Sequence, residues 1–229
     1  MKNTSTGVVF MILTIFLFSI MNATAKGFAT YYPIIEIVWV RYLSQTVFTT
    51  LIFLPNLNNI VKTRKIKLHL FRSLLLFCAT ISMFSGFKYL TLVSTITIFQ
   101  IGPLVIVVFS VIFLKETVGY RRWISVIVGF SGALLILKPG TDMFSIFGFF
   151  PILAAIFYAG YAVSTRRLGT EEDPQTNFFY TSLVGTLIST IILIPFFEPI
   201  AIKDLFLFSI LGVFGGLGHF CFILALRKS

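Results

Sequence analysis

Residues 3–25 read NTSTGVVFMILTIFLFSIMNATA, a run without a single Asp, Glu, Lys or Arg. A helix rises 1.5 Å per residue, so about 20 residues cross the roughly 30 Å hydrocarbon core of a bilayer. This run is long enough to cross. Lys2 in front of it and Ala23-Thr24-Ala25 near its end also resemble a cleavable secretory signal. Against cleavage, the same pattern returns again and again along the chain, so the run is read as a retained membrane span.

Working outward, the charge-poor runs are 42–61, 73–87, 89–114, 124–137, 143–165, 174–197 and 205–226. The second is expected to start near Ile34 and to take in Glu36 and Arg41. The third is short, with Arg72 and Lys88 placed to snorkel from its ends. Turn residues separate the runs at Pro55-Asn56, Pro139-Gly140 and Pro195 to Pro199. None of the runs alternates with period two, which excludes a membrane β-barrel. Eight helical spans are therefore expected. The composition agrees: 57% of the 229 residues are hydrophobic and only 11% charged, where a soluble domain carries roughly 25% charged residues. Mean hydropathy is +0.98. Lipid, not water, must solvate most of the surface.

The net charge of +10 raises the question of nucleic acid. The positions of the cations answer it. With the N-terminus inside, Lys2, the 62–72 cluster, Lys115, Arg121, Arg122, Arg166, Arg167, Arg227 and Lys228 all face the cytoplasm. The outer side holds only Lys26, Lys88, Lys138 and Lys203, and Arg41 lies within a span. The positive-inside rule selects this orientation, in the plasma (inner) membrane. The basic excess is a topology signal, and no nucleic-acid partner is expected. Cys78 and Cys221 lie in apolar stretches and read as small hydrophobes, not as a disulfide framework.

The chain also repeats itself. Gly7-Val8-Val9-Phe10 opens the first span and Gly148-Phe149-Phe150-Pro151 the sixth, 141 residues later, with Lys26 and Arg167 at the same offset. Leu51-Ile52-Phe53-Leu54-Pro55 and Ile191-Ile192-Leu193-Ile194-Pro195 are 140 apart, and Gly86-Phe87-Lys88-Tyr89 and Ala225-Leu226-Arg227-Lys228 are 139 apart. Each copy covers five spans. Five is odd, so the second copy enters the membrane upside down. The expected fold is an all-α integral membrane protein, an inverted repeat of five-helix units with eight transmembrane helices present of an expected ten. Residues 1–141 form the first unit. Residues 142–229 form the second, whose fourth and fifth helices would lie beyond Ser229.

Ionisable and polar groups at membrane depth nominate the site. Arg41, in span two with Glu36, contacts a ligand or ties helices together. In span four Thr91, Ser94, Thr97 and Gln100 follow at steps of three, and Gly102-Pro103 then frees backbone carbonyls. Ser and Thr in such a stripe also serve helix–helix hydrogen bonding. In span eight His219 shares a face with Gly212, Gly215 and Gly216, whose missing side chains permit close packing or leave room for a ligand. Tyr158 and Tyr161 on span six either stack on a planar ring or simply pack. Enzyme readings find no metal-ligand spacing and no phosphate loop. His69, read as solvated in the basic inner loop, and His219 are the only histidines.

The segment FKYLTLVSTITIFQIGPL at 87–104, continued by FLKET at 113–117, RRW at 121–123, GFSG at 129–132 and LKPG at 137–140, resembles the EamA family of drug/metabolite transporters. The resemblance spans essentially the whole chain. It implies ten helices in two five-helix repeats and a central cavity that the ninth helix helps to wall. Val38-Trp39-Val40-Arg41-Tyr42 and Gly218-His219-Phe220 look like the subgroup of riboflavin and S-adenosylmethionine importers. The expected function is secondary transport of a small metabolite, riboflavin- or S-adenosylmethionine-like, by alternating access. The alternative is a non-transporting membrane protein that lacks the last helices. No cofactor and no metal are expected. The bilayer and a metabolite are the expected partners, and a homodimer is left open.

Overall fold

The computed structural model describes residues 4–137, 146–168, 172–197 and 199–228. The Pro139-Gly140 turn and the unit boundary at 141–142 lie outside the described residues. Among the described residues the structure is helical, with no strand. The longer helices are α1 (Thr4–Phe28), α2 (Ile34–Phe53), α4 (Ile66–Tyr89), α8 (Phe149–Leu168), α9 (Pro174–Leu193) and α10 (Leu205–Lys228). The shorter ones are α3 (Leu57–Ile60), α5 (Leu92–Phe99), α6 (Gly102–Leu114) and α7 (Tyr120–Leu137). Among the described residues, seven stretches of helix are long and apolar enough to cross a membrane, and α5 with α6 make one of them. The described part of α7 is apolar over the shorter stretch Trp123–Gly132.

Prolines set several helix starts. Pro33 caps α2, while Pro174 and Pro103 stand in the first turns of α9 and α6, where a missing N–H costs nothing. Thr91 caps α5, its hydroxyl accepting the Ser94 N–H at 3.1 Å. The fourth span, expected as one helix, is broken at Gln100 and Ile101 between α5 and α6. Lys115 closes α6 in the left-handed region, at φ 54°.

The third span starts earlier than the charge pattern indicates. Helix α4 begins at Ile66, so His69 and Arg72 are helical. Both are buried, which corrects the reading of a solvated His69 and a snorkelling Arg72. The reason is local partners. The Arg72 guanidinium donates to the Thr165 hydroxyl at 3.1 Å and to the Asn177 carbonyl at 2.7 Å. The His69 ring stacks on Tyr180 at 4.8 Å, and its Nε2 lies 3.9 Å from a Glu172 oxygen.

The chain divides into two compact units. In the unit of Met1–Leu74 with Thr165–Ser229, α10 runs antiparallel along α1, with Gly218 against Phe18 and Gly215 against Met21. Helix α9 runs along α2. The Trp39 indole donates to the Thr190 hydroxyl at 2.9 Å, and the hydroxyls of Thr46 and Thr186 meet at 2.8 Å. Thr186 already donates to the Ser182 carbonyl, so Thr46 is the donor in that pair. In the unit Leu75–Ser164, α8 packs on α4 with Pro151 facing Gly86 and Gly160 facing Leu75. There the Tyr89 ring stacks on Phe147 at 4.3 Å.

The Thr46–Thr186 contact carries a direct test. Thr46→Cys combined with Thr186→Cys, with Cys78 and Cys221 replaced by serine, is expected to form a disulfide under mild oxidation. Cleavage of the 172–174 loop would then leave one band on a non-reducing gel and two on a reducing gel. Two bands under both conditions would contradict the α2–α9 register.

Candidate functional site

Helix α2 carries a polar stripe through its middle. Arg41, Gln45 and Thr49 follow at steps of four, so each lies about one turn beyond the last on one face. Arg41 is 1% exposed and Gln45 0%, and Thr49 is buried as well. Glu36, in the first turn of the same helix, is also buried, near the helix end whose dipole favours a carboxylate.

Helix α10 faces this stripe with glycines. A Cβ on Gly212 would overlap the Ser44 side chain, so α2 and α10 approach closely there. A Cβ on Gly215 would stand 2.9 Å from the Met21 sulfur and 3.3 Å from Arg41 Nε. One on Gly216 would stand 3.3 Å from Gln45 Cγ. The missing side chains thus form the seats in which Arg41 and Gln45 lie. His219 follows on the same helix, buried, its ring edge-to-face with Phe18 at 4.7 Å. The Arg41 guanidinium is held by the Met21 sulfur at 3.4 Å and by the Tyr42 ring, 4.5 Å from its centroid. Arg41, Gly212, Gly215, Gly216 and His219 therefore come together. Gln45 and Thr49 join them, and neither was nominated by the sequence. The signal that could have found them is the step of four from Arg41 within an otherwise apolar run.

The remaining nominated residues lie in the other unit. Thr97 is buried, and its hydroxyl donates back to the Val93 carbonyl at 2.8 Å. Gln100 is exposed at the break between α5 and α6, just before Gly102 and Pro103. Tyr158 meets Phe99 edge-on at 5.5 Å and Tyr161 at 5.9 Å, and Tyr161 is fully buried. These residues make an aromatic wall beside a helix break.

Two further features frame the first unit. A groove of about 720 Å³ is lined by Thr24, Phe28, Tyr31, Tyr32, Lys203 and Asp204, among others, where α1 ends and α10 begins. The Tyr32 hydroxyl donates to Asp204 at 2.6 Å and accepts the Ala201 N–H at 3.3 Å. That bond to Asp204 pushes the Tyr32 phenol above its ordinary value. Toward the other end of the unit, Glu172 accepts from Thr63 at 2.7 Å, and Tyr180 donates to the Val61 carbonyl at 2.7 Å. With His69 and Arg72 these bonds tie the start of α4 to the start of α9.

Chemically, the α2–α10 arrangement offers a fixed cation, an amide and an imidazole near the midpoints of apolar helices. No nucleophile–base pair stands beside them among the described residues. It is suited to holding a polar molecule.

Comparison with known proteins identifies the family. The model of the EamA-like transporter family matches residues 5–138 and again 145–229. An S-adenosylmethionine uptake transporter of Rickettsia bellii is 27% identical over 222 residues, covering 95% of this chain and 75% of that protein. A riboflavin transporter of Vibrio cholerae is 32% identical over 100 residues, 44% of this chain and 34% of its own length. A crystal structure with 16% sequence identity superposes with a TM-score of 0.78 over 98% of this chain and 80% of that one. That last likeness concerns the fold alone.

Proposed function

Because the chain belongs to the EamA-like transporter family, we propose that it is a secondary transporter that moves a small metabolite by alternating access. Relatives that take up S-adenosylmethionine or carry riboflavin make molecules of those kinds the first candidates. The observation that carries the proposal is the cluster of Arg41, Gln45 and His219, buried midway along apolar helices of a multi-pass membrane protein. Polar groups at that depth are costly and rare, and in membrane proteins they mark substrate pathways. Within the other unit, Thr97, Gln100, Tyr158 and Tyr161, beside the break at Gly102-Pro103, are proposed as substrate contacts of their own.

The mechanism rests on an inverted repeat, and three findings support it. The family model matches twice. Thr46 and Thr186 are 140 residues apart, the offset of the second and seventh spans, and they bond to each other. Two counterparts can meet in this way only on the pseudo-two-fold axis that relates the copies. The internal registers also correspond. Moving Met21 by 141 and Gly215 by −139 leads to positions 162 and 76, beside the Gly160–Leu75 contact of the other unit. In this reading the chain has eight spans and the units 1–141 and 142–229. The cation distribution supports a cytoplasmic N-terminus in the plasma membrane.

Purified protein reconstituted in liposomes tests the proposal. Saturable accumulation of labelled S-adenosylmethionine, riboflavin or another member of a broad metabolite panel is expected. Flux no greater than in empty liposomes for every compound would overturn it.

A further inference from the structure

We infer that Gln45 is the residue that reads the transported molecule, its side-chain amide pairing with an adjacent hydrogen-bond donor and acceptor on the edge of a planar ring. The inference rests on the transporter reading and adds a residue and a chemistry to it. Gln45 is fully buried, and among the described residues neither its Oε1 nor its Nε2 has a hydrogen-bond partner. Buried amides are almost always paired, because burial removes water from both ends of the group. Thr49, one turn on, donates its hydroxyl proton to the Gln45 backbone carbonyl at 2.7 Å and so offers no donor to the side-chain amide. The stem of Gln45 is nevertheless firmly seated, since Gly216 leaves the space that its Cγ occupies. A rigidly placed amide with open donor and acceptor is a recognition group waiting for its complement.

The shape of the complement follows from the amide. One acceptor beside one donor, in a plane, pairs with the reverse pattern, as when glutamine grips an adenine edge. An adenine ring and a flavin ring both carry such an edge. The surroundings suit a ring: Phe178 reaches within 3.6 Å of the Gly216 position, and Phe18 and His219 stand edge-to-face one turn along. Arg41, one turn back on α2, supplies a cation for any acidic substituent.

The test uses the full chain in liposomes, with competitors that differ only at that edge. Adenosine is compared with N6,N6-dimethyladenosine, and riboflavin with its N3-methyl derivative, as inhibitors of uptake of whichever metabolite the wild type carries. In one pair or the other, the intact edge is expected to inhibit about 10- to 100-fold better than the methylated one. Gln45→Leu and Gln45→Met, near in volume and apolar, are expected to erase that preference. They are also expected to raise the melting temperature of the ligand-free protein, because an unpaired buried amide has gone. The inference is overturned if the wild type shows no preference in either pair, or if both variants keep it. Wild-type uptake with that outcome leaves transport standing and removes only Gln45, whereas absence of uptake for every metabolite removes both.

Discussion

Gly212→Ala is expected to prevent α2 and α10 from docking and to strip the detergent-purified protein of most of its monodisperse yield. The added methyl would overlap the Ser44 side chain and stand 2.7 Å from its Oγ and 3.4 Å from its Cα. A long side chain could swing away from such a contact. Ser44 cannot, because the obstruction is its Cβ, fixed to the backbone. The helices must part, and with them go the seats of Arg41 and Gln45 at Gly215 and Gly216. Overpacking typically costs about 1–3 kcal/mol and more where backbone has to move, so a loss at or above about 3 kcal/mol is expected here. Ser44→Gly in the same chain removes the obstructing atom and is expected to restore the yield. Gly216→Ala meets Gln45 Cγ at 3.3 Å, a contact relieved by a shift of a few tenths of an ångström without parting the helices, and is expected to cost much less. Melting temperatures of the three variants check this order. An undiminished Gly212→Ala would mean that the two helices do not pack as described.

Arg41→Met is expected to leave a folded protein that no longer transports, with uptake at least about 100-fold below wild type, a loss of roughly 3 kcal/mol or more. Methionine keeps most of the volume and lies comfortably between Met21 and Tyr42. It also removes a buried charge that interacts within the protein, so a lower melting temperature is expected beside the loss of uptake. What disappears is the buried cation that α2 presents to α10. Arg41→Lys is not expected to rescue transport. The guanidinium is held as a plane, 4.5 Å over the Tyr42 ring with Nε on the Met21 sulfur, and an ammonium reproduces neither contact. Uptake in liposomes, read beside the melting temperature, separates this outcome from simple misfolding. Near-normal transport by Arg41→Met would remove Arg41 from the site.

Those two predictions draw on unequal amounts of sequence information. The helices were legible because lipid tolerates few charges, so long uncharged runs mark what it covers. The same rule misplaced the start of α4. It stopped at Arg72, whereas the helix runs back to Ile66 because Thr165 and Asn177 satisfy that guanidinium inside the protein. Arg41 and His219 were legible as ionisable groups within apolar runs. Gln45 and Thr49 were not, since an uncharged residue does not interrupt such a run and its burial is known only once the facing helix is placed. The span-four stripe shows the converse limit. Equal spacing made Thr91, Thr97 and Gln100 look alike, yet one caps a helix, one bonds back to its own helix, and one sits exposed at a break. The glycines of α10 read as packing or as ligand space. The structure gives Gly212 to close helix approach and Gly215 and Gly216 to seating polar side chains.

The central claim is that the Arg41–Gln45–His219 cluster opens alternately to the two sides of the membrane. It is tested most directly by His219→Cys in a chain whose own Cys78 and Cys221 are replaced by serine, labelled with a membrane-impermeant maleimide from either side in turn. Labelling from both sides, slowed by the transported metabolite, is the predicted result. A residue that can be reached from one side only, or from neither, at a rate the metabolite does not change, would contradict it.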